Sequence, residues 1–233
     1  MAYGIIGRKL GMSQVFGPSG ARIPVTVIAC GPCTVVKIKN KESDGYDALV
    51  LGFEEALPYP EDPALQKKPS KKRLDKARTG VFKKLNMTPK KVLREIRMSA
   101  DDCARYEVGT VLKADLFQAG ERVDATGITI GRGFSGIMKK WHMKGSRQFT
   151  RGTHEVRRHG GAIGQHSWPA RVFPNKHMAG AFGRSQRTTQ NIQVVTASPR
   201  RNLLLLRGGV PGPTGGLLLI RHARKHELAK AAG

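Results

Sequence analysis

Two segments hold almost all of the excess positive charge in this 233-residue sequence, and this distribution constrains the fold most strongly. Residues 67–97 contain thirteen Lys and Arg against Asp75 and Glu95, and residues 132–187 contain twelve against Glu155 alone. The formal net charge of the chain is +24, so the rest of the sequence is close to neutral. We therefore expect a self-sufficient body of nearly balanced charge, interrupted by two cationic insertions that require a polyanionic partner.

The nearly neutral remainder predicts β structure. Its apolar runs are short, rich in Val, Ile and Leu, and separated by Gly and Pro turns such as GGVPGPTGG at 208–216. The predicted strands are 22–30, 34–40, 48–53, 122–131, 191–198, 202–207 and 216–221. The alternation of strands with amphipathic helices that is typical of a parallel sheet does not occur. The fold class is therefore mainly β, with an antiparallel barrel or sandwich.

The two cationic segments set the domain organisation. We predict a β body of residues 1–63, 98–131 and 188–221, a basic and partly helical insertion of residues 64–97, an extended loop of residues 132–187, and a basic tail of residues 222–233. The extended loop begins where one predicted strand ends and stops near the start of the next. An irregular segment of this length inside a compact domain is typical of a functional loop.

Cys30 and Cys33 have the spacing of a thiol-disulfide oxidoreductase motif, in the run ACGPC. In such enzymes a helix N-terminus activates the first thiolate, whereas TVVKIKN at 34–40 favours a strand here. We therefore predict a turn between strands with two small, partly buried thiols, and keep the oxidoreductase as an alternative. Neither Cys103 nor the histidines supply a second ligand pair, so we expect no metal and no cofactor.

Other catalytic and membrane functions find little support. Five of the seven histidines lie in 132–187, where Glu155 is the one carboxylate that could orient a catalytic imidazole. GRGFSG at 131–136 lacks the Lys-Ser/Thr ending of a phosphate-binding loop. No apolar run reaches eighteen residues, and the N-terminus lacks the pattern of a signal peptide. We expect a cytoplasmic protein that is not an enzyme, with no small-molecule substrate and no membrane partner.

Nucleic acid explains the cationic segments best. Lys and Arg neutralise phosphates, and Arg also stacks on unpaired bases. Five aromatic side chains are interleaved with the cations and are suited to base stacking or to local packing: Trp141, Phe149, Trp168, Phe173 and Phe182. No pattern predicts a helix that fills the major groove of DNA. A folded RNA is therefore the predicted partner, and a general nucleoid-type DNA-binding protein is the nearer alternative.

The predicted RNA-binding residues fall into three groups. The phosphate-binding residues of the loop are Arg132, Lys139, Lys140, Lys144, Arg147, Arg151, Arg157, Arg158, Arg171, Lys176, Arg184 and Arg187. At the predicted tip of the loop, His166 and Trp168 are expected to contact RNA directly. A second footprint in the first insertion consists of Lys71, Lys72, Arg73, Lys83 and Lys84.

The sequence resembles the ribosomal protein L three family of the large subunit, in its bacterial or organellar form. The resemblance rests on collinear blocks between residues 4 and 221. These include GIIGRKLGMSQVF at 4–16, IPVTVIACGPCTVV at 23–36, VDATGITIGRGFSGIMKKW at 123–141 and RNLLLLRGGVPGPTGG at 201–216.

The resemblance implies a β-barrel of the translation-protein type with a long extension that enters the ribosome. It also implies binding to large-subunit (23S-type) rRNA, a role early in subunit assembly, and an extension that reaches toward the peptidyl transferase centre without catalysing peptide transfer. Ribosomal proteins L fourteen and L nineteen are the neighbours expected in this family. At the tip, the sequence has Ser167, Trp168, Pro169 and Ala170 where bacterial members often have Gln-Thr-Pro-Gly. The glutamine methylation of some members is therefore not carried over.

Overall fold

The computed structural model describes residues 4–60, 73–146 and 152–225, and it confirms a mainly β fold. The strands are β1 Gly4–Phe16, β2 Arg22–Cys30, β3 Cys33–Lys39, β4 Ala48–Glu55, β5 Lys90–Arg97, β6 Val111–Leu112, β7 Arg122–Ile128, β8 Phe134–Ser135, β9 Gly180–Ala181, β10 Gln186–Ser198, β11 Leu203–Arg207 and β12 Leu217–His222. The helices are α1 Lys41–Asp44, α2 Lys76–Lys84, α3 Ala100–Cys103, α4 Ile137–Trp141 and α5 Thr153–Val156, with a 3-10 turn at Ala114–Leu116.

Six strands close into a barrel in the order β1-β12-β7-β10-β11-β2. Buried and half-buried residues alternate along β11 and β12, so one face of each strand points into the barrel, as a barrel wall requires. The register places Ile5 opposite Ile220 and Leu204 opposite Ile28, and all four side chains are fully buried. The predicted β-barrel is therefore confirmed.

A separate four-stranded sheet has the order β5-β4-β3-β6. The sequence predicted β3 and β4 but did not indicate that they leave the barrel to form a sheet of their own. β5 lies within the segment 64–97, which was predicted as a partly helical insertion, and it pairs antiparallel with β4 from Ala48↔Arg97 to Glu55↔Lys90. Ile96 is buried and Val92 half-buried, while most of the other β5 side chains are exposed.

The helix α2 packs against this part of the chain through a small apolar cluster. Phe82 on α2 is buried with Val36 of β3 and Leu74, the residue before the helix cap. Thr79 is buried as well, and its hydroxyl accepts a hydrogen bond from the backbone N–H of Tyr59. The first insertion therefore contributes one apolar helix face, although it is rich in Lys and Arg.

The chain folds into two compact units. The barrel unit comprises residues 1–128 and 187–233, and the second unit comprises residues 129–186. The main apolar core, which includes Ile6, Leu51, Val123 and Leu206, is built from residues of the barrel unit. The second unit contains α4, α5 and the short β8–β9 ladder.

Candidate nucleic-acid interface

Backbone hydrogen bonds join the two ends of the second unit. The N–H of Thr129 donates to the carbonyl of Ser185 at 2.9 Å, and the N–H of Arg132 donates to the carbonyl of Phe182 at 2.8 Å. The β8–β9 ladder, with Phe134 opposite Ala181, continues this antiparallel arrangement. The long segment between these two strands is therefore held at a narrow, hydrogen-bonded base.

Gly183 allows the two strands at this base to approach closely. Its φ is +75°, which disfavours other residues, and a Cβ at this position would collide with the carbonyl oxygen of Ile130. The glycine therefore sets the separation of the strands at the start of the second unit.

Trp141 packs locally within the second unit. Its ring stacks on the His177 ring with centroids 3.9 Å apart and an interplanar angle of 5°. Its Nε1 donates a hydrogen bond to the carbonyl of Met178 at 2.9 Å. These contacts tie the end of α4 to the returning chain, so one face of Trp141 and its N–H group are already occupied.

Trp168 is the most exposed large apolar side chain among the described residues, at 85%. Its neighbour His166 is also exposed, and the Nδ1 of that ring lies 3.0 Å from the hydroxyl of Ser167. An exposed indole ring offers a large, rigid apolar surface to a binding partner. The region therefore has a free aromatic face that a stacked base can cover.

Three cations of the second unit lie over aromatic rings. Arg132 lies 5.1 Å from the centroid of Phe182, Lys140 lies 5.2 Å from that of Trp141, and Arg171 lies 5.3 Å from that of Phe173. A ring orients the cation without neutralising it, so the positive charge remains available to an anion.

Most of the predicted phosphate-binding residues are exposed in the structure. The exposed ones are Arg132, Lys139, Lys144, Arg157, Arg158, Arg171, Lys176, Arg184 and Arg187, whereas Lys140 is half-buried. Arg187 is the first residue of the barrel unit after the second unit ends. Arg147 and Arg151 lie outside the described residues.

Several cations of the barrel unit are paired with carboxylates. The Nζ of Lys37 lies 2.8 Å from Asp44 Oδ1, and the Nζ of Lys39 lies 2.7 Å from Glu95 Oε1. Hydrogen bonding to Lys39 holds the pKa of Glu95 below its usual value. The sequence of the second unit contains a single carboxylate, Glu155, so pairing of this kind cannot balance its charge.

The predicted second footprint is only partly described. Arg73 is half-buried, Lys83 and Lys84 are exposed on the last turn of α2, and Lys71 and Lys72 lie outside the described residues. Sequence reasoning did not single out a neighbouring cationic groove of about 350 Å³, whose lining includes Arg78, Lys90, Lys91 and Arg94. The signal that could have revealed it is the charged pattern KKVLREIR, which fits an exposed strand as well as a helix.

The two thiols of the ACGPC run are buried in the core. Cys30 ends β2, Cys33 begins β3, and neither side chain is exposed, whereas the sequence analysis predicted partial burial. Burial raises the pKa of Cys33 to about 12 and raises that of Cys30 further. Because the thiolate is the reactive form, this environment opposes the activation that an oxidoreductase requires.

Within the described ranges, the structure contains no group of three His, Cys, Asp or Glu side chains arranged to hold a metal ion. In the same part of the chain, no helix has both the length and the apolar character needed to cross a membrane.

The chain is similar to known proteins over most of its length. Residues 92–202 match the model of the family described as Ribosomal protein L3. The chain is 46% identical over 230 residues to the large ribosomal subunit protein uL3 of Magnetococcus marinus. This alignment covers 99% of this chain and 100% of the relative. The uL3 protein of Myxococcus xanthus is 44% identical, over 98% of this chain and 99% of its own length. The uL3 protein of Thermotoga maritima is also 44% identical, over 94% of this chain and 97% of its own length.

Proposed function

The chain belongs to the uL3 family of large ribosomal subunit proteins, and from this membership we propose that it is a structural component of that subunit which binds 23S-type rRNA. The second unit, residues 129–186, supplies the main RNA-binding surface, and the barrel unit supplies the folded base. Exposed cations bind phosphates, and exposed aromatic side chains cover unpaired bases. The protein itself catalyses no reaction.

One observation carries this proposal. The second unit exposes Lys139, Lys144, Arg171 and Lys176, while its sequence provides only Glu155 to balance them. Unbalanced charge of this density repels itself in a free protein, and binding to a polyphosphate relieves the repulsion and releases condensed counterions.

The test is to neutralise these four exposed cations together, by substituting Gln for Lys139, Lys144, Arg171 and Lys176. We expect the log of the association constant for large-subunit rRNA to depend less steeply on the log of the salt concentration. The slope should fall by about three, because each lost phosphate contact removes roughly 0.7–0.9. Filter binding across a range of salt concentrations measures this slope.

The matched control removes the same charge from exposed side chains of the barrel unit, with Gln at Lys41, Lys113, Arg200 and Arg201. An equal loss of slope in the control would show that the second unit is not the main RNA-binding surface. A competition experiment between duplex DNA and an rRNA fragment, at physiological salt, provides a further test. If duplex DNA competed for the protein as effectively as an rRNA fragment does, a general nucleoid-type binding protein would be the better description.

The proposal extends to the place of the protein in the subunit. We place the region of Trp168 near the peptidyl transferase centre, the protein among the early components of assembly, and ribosomal proteins L fourteen and L nineteen among its neighbours. Family membership supports these assignments, and the exposure of Trp168 fits a tip that contacts RNA.

A photoreactive aromatic residue at position 168 tests this placement in assembled subunits. We expect it to crosslink to nucleotides of the peptidyl transferase centre. The same substitution at Phe16, which is 66% exposed in the barrel unit, should crosslink elsewhere. Crosslinks from position 168 to another rRNA domain would contradict the placement.

A further inference from the structure

An open cavity of about 750 Å³ lies within the second unit. Trp141, Met143 and Val156 form its apolar lining, and His142, Lys144 and His159 form most of its polar lining. Cavities of roughly 300–1,000 Å³ are typical of sites that hold a small ligand. Neither the sequence motifs nor the predicted phosphate contacts of the second unit require a cavity here.

Close backbone packing builds the walls of this cavity. Gly145 has a φ of +71°, and a Cβ there would collide with the carbonyl oxygen of Arg157, so the two walls meet at this point. At Gly160, which also lines the cavity, the terminal methyl group of Ile137 packs where a Cβ would stand. Trp141 is fixed by its stacking on His177. The cavity is therefore a formed feature of the second unit.

The chemistry of the lining fits a nucleotide. The described side chains that line the cavity include no carboxylate, and Lys144 supplies a positive charge. Imidazole nitrogens can donate or accept hydrogen bonds, as recognition of base edges requires. The indole, thioether and valine side chains offer apolar surface against which a base can pack. The cavity opens to solvent, so a nucleotide can enter while the rest of its chain stays outside.

We propose that this cavity receives a single unpaired nucleotide of the bound RNA. The base lies against the apolar lining around Met143 and Val156, and Lys144 meets the phosphate. This inference rests on the proposed function, since the nucleotide belongs to the rRNA that the second unit binds. It goes further, because it assigns a base-binding site to residues other than the exposed tip.

The first test fills the cavity without changing the charge. Val156 lines the cavity and is 46% exposed, so Val156→Trp places a large side chain in it. Val172→Trp is the matched control, since Val172 is 41% exposed in the same unit and does not line the cavity. Chemical probing of bases at single-nucleotide resolution, in the complex of full-length protein with large-subunit rRNA, reports the occupancy of the site.

We expect Val156→Trp to make one unpaired base reactive that the unsubstituted protein protects, and to weaken binding about tenfold, because the packing of that base is lost. Val172→Trp should leave that base protected. The inference is overturned if Val156→Trp changes the reactivity of no base, or if Val172→Trp makes the same base reactive. If the unsubstituted protein protects no rRNA at all, the proposed function fails instead.

A second pair of variants keeps the inference testable if Val156→Trp does not fold. Lys144→Ala and Lys176→Ala each remove one exposed cation from the second unit, but only Lys144 lines the cavity. Both should lower the salt dependence of binding by a similar amount. Only Lys144→Ala should raise the reactivity of the nucleotide that occupies the cavity. Equal reactivity in the two variants would show that Lys144 acts as a general phosphate contact and that the cavity is not the site.

Discussion

Trp141 and Trp168 show how the same residue type serves two purposes in one segment. The sequence alone left each of them open to base stacking or to local packing. The structure resolves the question for Trp141, whose ring stacks on His177 and whose N–H is bonded to Met178. Trp168 is left 85% exposed. The difference depends on a contact between residues 36 positions apart, which no local pattern encodes.

We predict that Trp168→Ala weakens rRNA binding by about tenfold and changes the free energy of unfolding by less than about 0.5 kcal/mol. Trp141→Ala should instead destabilise the second unit by about 1–3 kcal/mol, because it loses a stacked ring and a hydrogen bond. Filter binding and hydrogen exchange of residues 129–186 measure the two effects. A large loss of stability in Trp168→Ala would mean that Trp168 packs within the protein.

The burial of the two thiols predicts how the stability of the protein depends on pH. Burial raises the pKa of Cys33 to about 12, whereas its ordinary value is 9.0. Above pH 9 the thiol ionises in the unfolded chain but not in the folded one, so stability is full below pH 9 and falls as the pH rises toward 12. Cys33→Ala should remove part of this decline, up to about 1.4 kcal/mol per pH unit.

Urea unfolding between pH 8 and 11, at roughly half-unit steps, tests this effect on the free energy of unfolding. Val35→Ala, which also removes buried atoms but no ionisable group, is the control. The explanation is wrong if Cys33→Ala and Val35→Ala show the same pH dependence as the unsubstituted protein.

Strands whose apolar face is complete were predictable, and strands with charged or glycine-rich faces were not. The predicted strand 22–30 coincides with β2, in which Val25, Ile28 and Cys30 are buried. In β5 only Lys90 and Ile96 are buried, so too few apolar residues mark the alternation. β10 begins at Gln186, five residues before the prediction, because its first residues are all exposed and polar. These residues belong to the strand because β10 pairs with β7, which is far away in sequence. The pairing includes a 2.8 Å contact between the hydroxyls of Thr126 and Thr188.

The candidate interface was predictable as a charge distribution but not as a shape. Composition indicated that the second unit would expose cations such as Lys139 and Arg171, and both are exposed. The cavity beside Trp141 was not foreseen. It depends on the close approach of Gly145 to Arg157, which only the folded backbone brings about.

A buried lysine anchors the loop between β11 and β12. Lys9 of β1 is 8% exposed, and its Nζ donates to the carbonyls of Val210 at 3.2 Å and Gly212 at 3.0 Å. Lys9→Met should cost about 1–3 kcal/mol of unfolding free energy, because two carbonyl groups lose their charged donor. Lys37→Met, at an exposed pair with Asp44, should cost less than about 1 kcal/mol. Chemical denaturation compares the two, and equal costs would argue against an anchoring role for Lys9.

At the scale of the whole molecule, the main apolar core lies in the barrel unit, whereas the second unit has a large excess of positive charge and its described residues contribute nothing to that core. The apolar core is contributed by the barrel unit, and the β8–β9 ladder closes the base of the second unit. Replacing residues 138–178 by a short Gly-Ser linker should therefore leave the barrel folded. The shortened protein should bind rRNA more weakly and with a smaller salt slope, because most of the predicted phosphate-binding residues are removed.

Circular dichroism and thermal unfolding of the shortened protein test the first expectation, and filter binding tests the second. A shortened protein that fails to fold would mean that residues 138–178 contribute to the stability of the core. Unchanged affinity for rRNA would locate the main RNA contacts in the barrel unit.

The pairing of β1 with β12 has a consequence for biosynthesis. Of the described strands, β1 is made first and β12 last, yet Gly4 is paired with Arg221 across the seam that closes the barrel. This seam can therefore form only after Arg221 has been made, and contacts so distant in sequence form slowly. Residues 132–187 are made before β12, so their positive charge is present in a chain whose barrel is still open. Until β12 has been made, a newly made chain of this kind therefore benefits from shielding against nonspecific binding to polyanions.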